Sequence, residues 1–188
     1  MKSLVFILCS LFIINLSAYS QLKVGDQAPA FSAQDDQNNT WSSTDYIGKN
    51  TVVVYFYPAA MTGGCTKQAC AFRDDKTELD QQGAIVVGIS GDEVENLKYF
   101  SAAHNLNFPL LSDPDGKIAE KFNMKTKEGG SIVRNIDGND LTLERGVTAY
   151  RWTFIIDKQG KIAHVNTDVN AAEDSKQTLE IIKKLKFL

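Results

Sequence analysis

Two uninterrupted apolar runs fix the centre of any fold this chain can adopt. Thr51-Val-Val-Val-Tyr-Phe-Tyr57 and Ala84-Ile-Val-Val-Gly-Ile-Ser90 are mostly β-branched or aromatic. A run without polar alternation fits a strand buried on both faces. Pro58 ends the first run and Gly83 precedes the second. Between them, Cys65–Gln82 is expected to be helical, with Ala69, Phe72 and Leu79 near one face. The pattern then repeats. Glu93–Asn105 reads as a helix with Val94, Leu97 and Phe100 on one stripe, and Phe108–Leu111 as a short strand. Lys117–Phe122 reads as a short helix, and Lys125–Asn139 as a loop or hairpin. Arg151–Asp157 and Lys161–Val165 read as strands joined by the turn Asp157-Lys-Gln-Gly160. Glu173–Leu185 closes the chain as an amphipathic helix. Upstream, Val24–Phe31 is an entry segment in which Pro29 limits any strand to an edge, and Asp35–Thr44 is turn-like. Two strand–helix–strand units followed by a hairpin and a helix predict an α/β fold with a mixed central sheet flanked by helices. This order is compatible with a thioredoxin-like fold without singling it out.

The first twenty residues stand apart from this pattern. Lys2 precedes the apolar run Leu4–Leu16, and Ala18-Tyr19-Ser20 follows it. A charged start, a short apolar stretch and a small-x-small site read as a secretory signal peptide. The run is shorter than the about 20 apolar residues a membrane span needs. Residues 1–20 are therefore expected to be a leader and residues 21–188 a single domain, exported to a periplasm or secreted, without stable membrane insertion. An uncleaved anchor is the alternative. A net charge of −3 gives no basic footprint, so nucleic acid is not an expected partner.

Of the three cysteines, Cys9 falls in the leader, leaving Cys65 and Cys70. Cys65 follows a buried strand and starts a helix. The first turn of a helix has unpaired N–H groups whose partial positive charge favours a thiolate. Gly63 and Gly64 let backbone approach a ligand closely, and Thr62 offers a hydroxyl within one turn. Such a site suits attack on an O–O bond, where negative charge develops on the leaving oxygen. Cys70 lies five residues on, which in a regular helix is about 500° of rotation and about 7.5 Å of rise. A bond between the two sulfurs would require the first turns to unwind. A strained, reducible link and a buried cysteine that never pairs both fit that spacing.

At these residues the chain resembles the peroxiredoxins, and among them the bacterioferritin-comigratory-protein, or PrxQ, type. The family signature Pro-x-x-x-Thr-x-x-Cys is matched by Pro58, Thr62 and Cys65. Tyr55-Phe-Tyr-Pro58, Ala69-Cys-Ala-Phe-Arg-Asp74, Asn107-Phe-Pro-Leu-Leu-Ser-Asp-Pro-Asp-Gly116 and Arg151-x-Thr153-Phe-Ile-Ile-Asp157 extend the likeness from about Val24 to the C-terminus. The resemblance implies a thioredoxin-like peroxiredoxin domain that reduces hydrogen peroxide and organic hydroperoxides with a thioredoxin-like reductant, as a monomer and without cofactor or metal. It implies that Cys65 attacks the peroxide and becomes a sulfenic acid. Thr62 would hydrogen-bond peroxide and thiolate, Pro58 would shield the sulfenate, and Arg151 would stabilise the thiolate and orient the peroxide. Cys70 would resolve the sulfenic acid to an intramolecular disulfide. A one-cysteine peroxidase and a thioredoxin-fold peroxide sensor are the alternatives. The chain departs from the family at Gln68, where Glu is usual, at Gly63, where Pro is common, and at Trp152, where smaller residues are usual. His104 and His164 lack ligand spacing and read as surface or capping residues.

Overall fold

The computed structural model describes residues 21–136 and 138–185, so the expected leader lies outside the described residues. A five-stranded sheet carries the fold, in the order β5 (Leu110–Ser112), β4 (Ala84–Ser90), β3 (Thr51–Phe56), β8 (Thr153–Ile156), β9 (Ile162–Asn166). β3, β4 and β5 are mutually parallel, while β8 runs antiparallel to β3 and β9 antiparallel to β8. The sheet is therefore mixed, as expected.

Both runs that anchor the sequence reading lie at its centre. All six residues of β3 are buried, and they sort by the period of a strand. Val52, Val54 and Phe56 join a core with Phe31, Trp41, Phe122 and Phe154 on one face. Val53 and Tyr55 join Phe72, Leu97, Phe100, Leu179 and Ile182 on the other. That second face is covered by α1 (Gly63–Asp74), α2 (Lys76–Gln81), α3 (Val94–His104) and α5 (Asp174–Leu185). The first is closed by α4 (Lys117–Lys121) and by the N-terminal segment, where β1 (Ser32–Gln34) pairs antiparallel with β2 (Thr40–Ser42). Tyr55 sits opposite Gly88, and a Cβ there would lie 2.6 Å from the Tyr55 hydroxyl. The glycine lets the tyrosine ring cross β4 and stack on Phe72, with centroids 4.8 Å apart.

Four expectations change. The segment Asp35–Thr44, expected to be turn-like throughout, contains the strand β2, whose Trp41 is buried in the core opposite Ala33 of β1. The helix expected over Cys65–Gln82 is two helices, broken at Asp75, whose ψ of 0° leaves the helical range. Its carboxylate instead accepts a hydrogen bond from Ser175 Oγ on α5, 2.7 Å away. The strand expected from Arg151 starts at Thr153, which leaves Arg151 in the connection before it. The segment expected to be a loop or hairpin is β6 (Lys127–Ile136), paired along its length with β7 (Asn139–Thr148), a strand the sequence reading did not anticipate. This arm is anchored to the body where Gly146 N–H donates to Gly91 O at 2.9 Å and Asn96 Nδ2 donates to Glu144 O at 2.6 Å. Among the described residues no helix is long and apolar enough to cross a membrane.

Candidate active site

The turn from β3 into α1 carries Pro58, Thr62 and Cys65. Thr62 is the N-cap of α1, in extended backbone, and the first helical hydrogen bond runs from Thr66 N–H to Thr62 O at 2.8 Å. The N–H groups of Gly63, Gly64 and Cys65 thus precede the ladder. Cys65 is buried, at 1% exposure, and its thiol is free. Pro58 is half-buried at the exit of β3.

Arg151 reaches this sulfur across 86 residues of chain. Pairing of β8 with β3 sets Thr153 opposite Tyr55 and continues as Phe56 N–H donates to Trp152 O at 2.8 Å. By the two-residue period, Arg151 then faces the same side as Thr153, towards α1. Its Nη2 donates to Cys65 Sγ at 3.3 Å and its Nη1 donates to Gln68 Oε1 at 2.5 Å. Gln68 lies three residues past Cys65 on α1, so both present the same helix face. A Cβ at Gly64 would come within 3.2 Å of Arg151 Nη2. Gly64 therefore makes room for the guanidinium, whereas a Cβ on Gly63 would meet nothing within 4 Å.

Behind Gln68 stands a carboxylate that the sequence did not nominate. Gln68 Nε2 donates to Asp174 Oδ2 at 2.7 Å, and Thr153 Oγ1 donates to the same oxygen at 2.7 Å. Gln68, Asp174 and Thr153 are all buried. Burial pushes the Asp174 carboxyl up, opposed by these hydrogen bonds and by the Arg151 charge.

The loop ahead of the cysteine is tied at two successive residues. Ala60 N–H donates to Asp92 Oδ2 at 2.8 Å, and Ser90 Oγ donates to that oxygen at 2.7 Å. Met61 adopts a left-handed φ of 59°, and its carbonyl accepts a hydrogen bond from Arg134 Nε of the β6–β7 arm at 2.9 Å. Burial also pushes Asp92 up, against the Ala60 N–H, Ser90 and Arg145. Thr62 Oγ1 donates to Ala59 O at 2.8 Å, so its proton is committed within the loop and its lone pairs remain as acceptors. Asp92 had a signal in the sequence, since it stands just past the C-terminal end of a parallel strand, where α/β folds place their sites. Arg134 and Asp174 had none.

Cys70 is half-buried on the same unbroken helix as Cys65, with its thiol free. Arg73, one turn on, interacts with it electrostatically and donates through Nη1 to His104 O at 2.6 Å. His104 and His164 are both half-buried, and burial lowers both imidazoles.

A guanidinium donor held against a buried sulfur at a helix start is the arrangement of a nucleophilic thiol rather than of core packing. The class defined by this sheet and this sulfur is a thioredoxin-like thiol enzyme. Residues 24–165 match the AhpC/TSA family, and the chain belongs to that family as a peroxiredoxin, a thiol peroxidase. It is 40% identical over 163 residues to peroxiredoxin Bcp of Escherichia coli, covering 87% of this chain and 97% of that protein. Among solved structures it is similar to peroxidoxin BcpB from Mycobacterium tuberculosis, with a TM-score of 0.72, 30% identity, and coverage of 87% of this chain and 98% of that one. The bacterioferritin comigratory protein of Xanthomonas campestris, described for its alkyl peroxide reduction activity, gives a TM-score of 0.68 at 25% identity, covering 82% and 91%.

Proposed function

We propose that this peroxiredoxin reduces hydrogen peroxide and organic hydroperoxides through Cys65, with Cys70 as the resolving thiol. The Cys65 thiolate attacks one peroxide oxygen. The O–O bond breaks, the sulfur becomes a sulfenic acid, and the other oxygen leaves as alkoxide or hydroxide and takes up a proton. Arg151 and the N–H groups that begin α1 face the charge that develops. Cys70 then attacks the sulfenic sulfur, releasing water and forming a disulfide, and a thioredoxin-like dithiol restores both thiols by exchange. The observation that carries this reading is the 3.3 Å contact between Arg151 Nη2 and the buried Cys65 sulfur. The alkyl peroxide activity of the Xanthomonas campestris relative supports organic hydroperoxides as substrates. The leader-like residues 1–20 favour action outside the cytoplasm.

A one-cysteine cycle has one observation in its favour, because Gln68, between the two cysteines, is anchored to Arg151 and Asp174. Mass spectrometry after one equivalent of hydrogen peroxide separates the two. The two-cysteine cycle gives a Cys65–Cys70 cross-link with the loss of two hydrogens, and Cys70→Ser permits a first turnover but blocks recycling by thioredoxin. A wild type that accumulates Cys65 sulfenic or sulfinic acid, without a cross-link, runs the one-cysteine cycle. Cys65→Ser abolishes peroxide consumption in either case, and full activity in that variant rejects both.

A further inference from the structure

Gln68 is a side chain with two unlike ends. Its Oε1 accepts and its Nε2 donates, and a half-turn exchanges them at almost no steric cost. Only the oxygen end suits Arg151, since a guanidinium offers donors alone. What lies on the far side decides which end faces it. There, Asp174 Oδ2 accepts from Gln68 Nε2 at 2.7 Å, and Asp174 is itself held by Thr153 Oγ1 at 2.7 Å. Gln68 is 0% exposed, and Asp174 and Thr153 1% each. A missing acceptor there would leave a buried donor unpaired, which is costly at low local dielectric.

We infer that Asp174 is a positioning residue of the peroxidase site: it orients the Gln68 amide so that its oxygen holds the Arg151 guanidinium on the Cys65 sulfur. The relay runs Asp174 Oδ2, Gln68 Nε2, Gln68 Oε1, Arg151 Nη1, and through Arg151 Nη2 to Cys65 Sγ. Asp174 touches neither sulfur nor peroxide in this arrangement. The carboxylate is set one side chain behind the arginine, and a neutral amide meets the cation. Arg151 therefore carries no ion pair through Gln68, and its charge is directed at the sulfur. The titratable and charged groups around Asp174 are Arg151, His164 on β9 and Tyr55 on β3. The inference rests on the reading of Cys65 as the attacking thiol.

The sign of one measurement separates positioning from simple charge. Removing a carboxylate near an anionic sulfur favours the thiolate, so a charge effect alone moves thiolate formation to lower pH. Losing the relay moves it to higher pH. The experiment follows iodoacetamide alkylation of Cys65 against pH in the mature protein, resolved at the Cys65 peptide, alongside peroxide consumption at neutral pH. Asp174→Ala is expected to move the alkylation midpoint upward by about one pH unit, the weight of one charge-assisted hydrogen bond, with a loss of peroxide rate of up to about tenfold. Asp174→Asn keeps an acceptor for Gln68 and is expected to produce no upward shift. Gln68→Met removes the middle of the relay and is expected to shift the midpoint upward as Asp174→Ala does, and the double variant no further. This second variant decides the matter if Asp174→Ala does not fold. A folded Asp174→Ala protein with the wild-type midpoint or a lower one overturns the inference, as does an unmoved midpoint in Gln68→Met. If Cys65→Ser retains peroxide consumption, the functional reading fails and the inference falls with it. Cys65-dependent activity with unmoved midpoints removes the inference alone.

Discussion

Replacing Arg151 tests the centre of the site. Its Nη2 lies 3.3 Å from the Cys65 sulfur. Point charges at that separation attract by about 5 kcal/mol at an effective dielectric of about 20. The guanidinium charge is delocalised and Arg151 is only half-buried, so solvent screening lowers that figure. The mutational range for hydrogen bonds to charged groups, about 1.5–3 kcal/mol, is the better guide. At about 1.4 kcal/mol per pH unit, Arg151→Ala should move the Cys65 alkylation midpoint upward by about one to two units. The thiolate population at pH below the midpoint then falls by about tenfold to a hundredfold. Peroxide consumption should fall further than alkylation, because the peroxide loses a positioned donor as well as an anionic attacker. Arg151→Lys should recover only part of the shift, since one ammonium does not reproduce a planar fork that bonds Gln68 and the sulfur at once. The assay is stopped-flow peroxide consumption paired with iodoacetamide alkylation across pH. An Arg151→Ala protein that alkylates with the wild-type pH profile refutes the assignment of Arg151 as the thiolate's cation.

Arg134→Ala removes the arm's donor to the Met61 carbonyl; we expect a slower reaction with peroxide, an unmoved Cys65 alkylation midpoint and a stability loss of no more than about 1.5 kcal/mol, and wild-type peroxide kinetics would show that the arm does not brace the loop. Asp174 has its folded value raised above the ordinary 3.8 by burial, so the folded state holds its proton more tightly and its contribution to stability is fully present below 3.8 and lost as pH rises through the raised value. Urea melts should therefore find wild type gaining stability relative to Asp174→Asn on going from pH 7 to pH 4, and a flat or opposite trend would contradict the burial of that carboxyl.

The parts of the molecule that could be read from sequence are those fixed by local pattern. β3 and β4 were visible because consecutive β-branched residues admit little besides a strand buried on both faces. The arm's second strand was missed although its inward residues alternate as Leu141, Leu143, Arg145 and Val147. A charged residue in the apolar register and Gly146 beside it interrupt the signal on which strand recognition depends. The break at Asp75 was missed because its cause is a contact with Ser175, 100 residues away. The site divides the same way. Cys65, Thr62 and Pro58 share one short motif, and Arg151 carried a motif of its own. Asp174 reads locally as an acidic residue in the first turn of a helix, where acids are common for reasons of the helix dipole alone. Its bond to Gln68 spans 106 residues, and no local spacing encodes it.

The position of Gln68 ties the chemistry of the proposed cycle to the stability of the reduced fold. It lies between Cys65 and Cys70 on one helix, and five residues of helix separate their Cα atoms by about 7.5 Å along the axis, beyond the about 7 Å that a disulfide spans. Joining the sulfurs therefore unwinds the segment that carries Gln68. Its bonds to Arg151 and Asp174 are then lost together, and Arg151 is released from the site it had organised. Two hydrogen bonds, one buried and one part-buried, of up to about 1.4 kcal/mol each would make the reduced state more favourable by up to about 3 kcal/mol, which for a two-electron couple raises the potential by up to about 60 mV. In the proposed cycle, the contacts assigned to holding the thiolate ready for peroxide are thus the contacts that disulfide formation would dismantle. Their recovery on reduction would help a thioredoxin-like dithiol return the proposed cycle to its start, and weakening either bond should make the proposed disulfide harder to reduce, as read from its equilibrium with a thiol redox buffer.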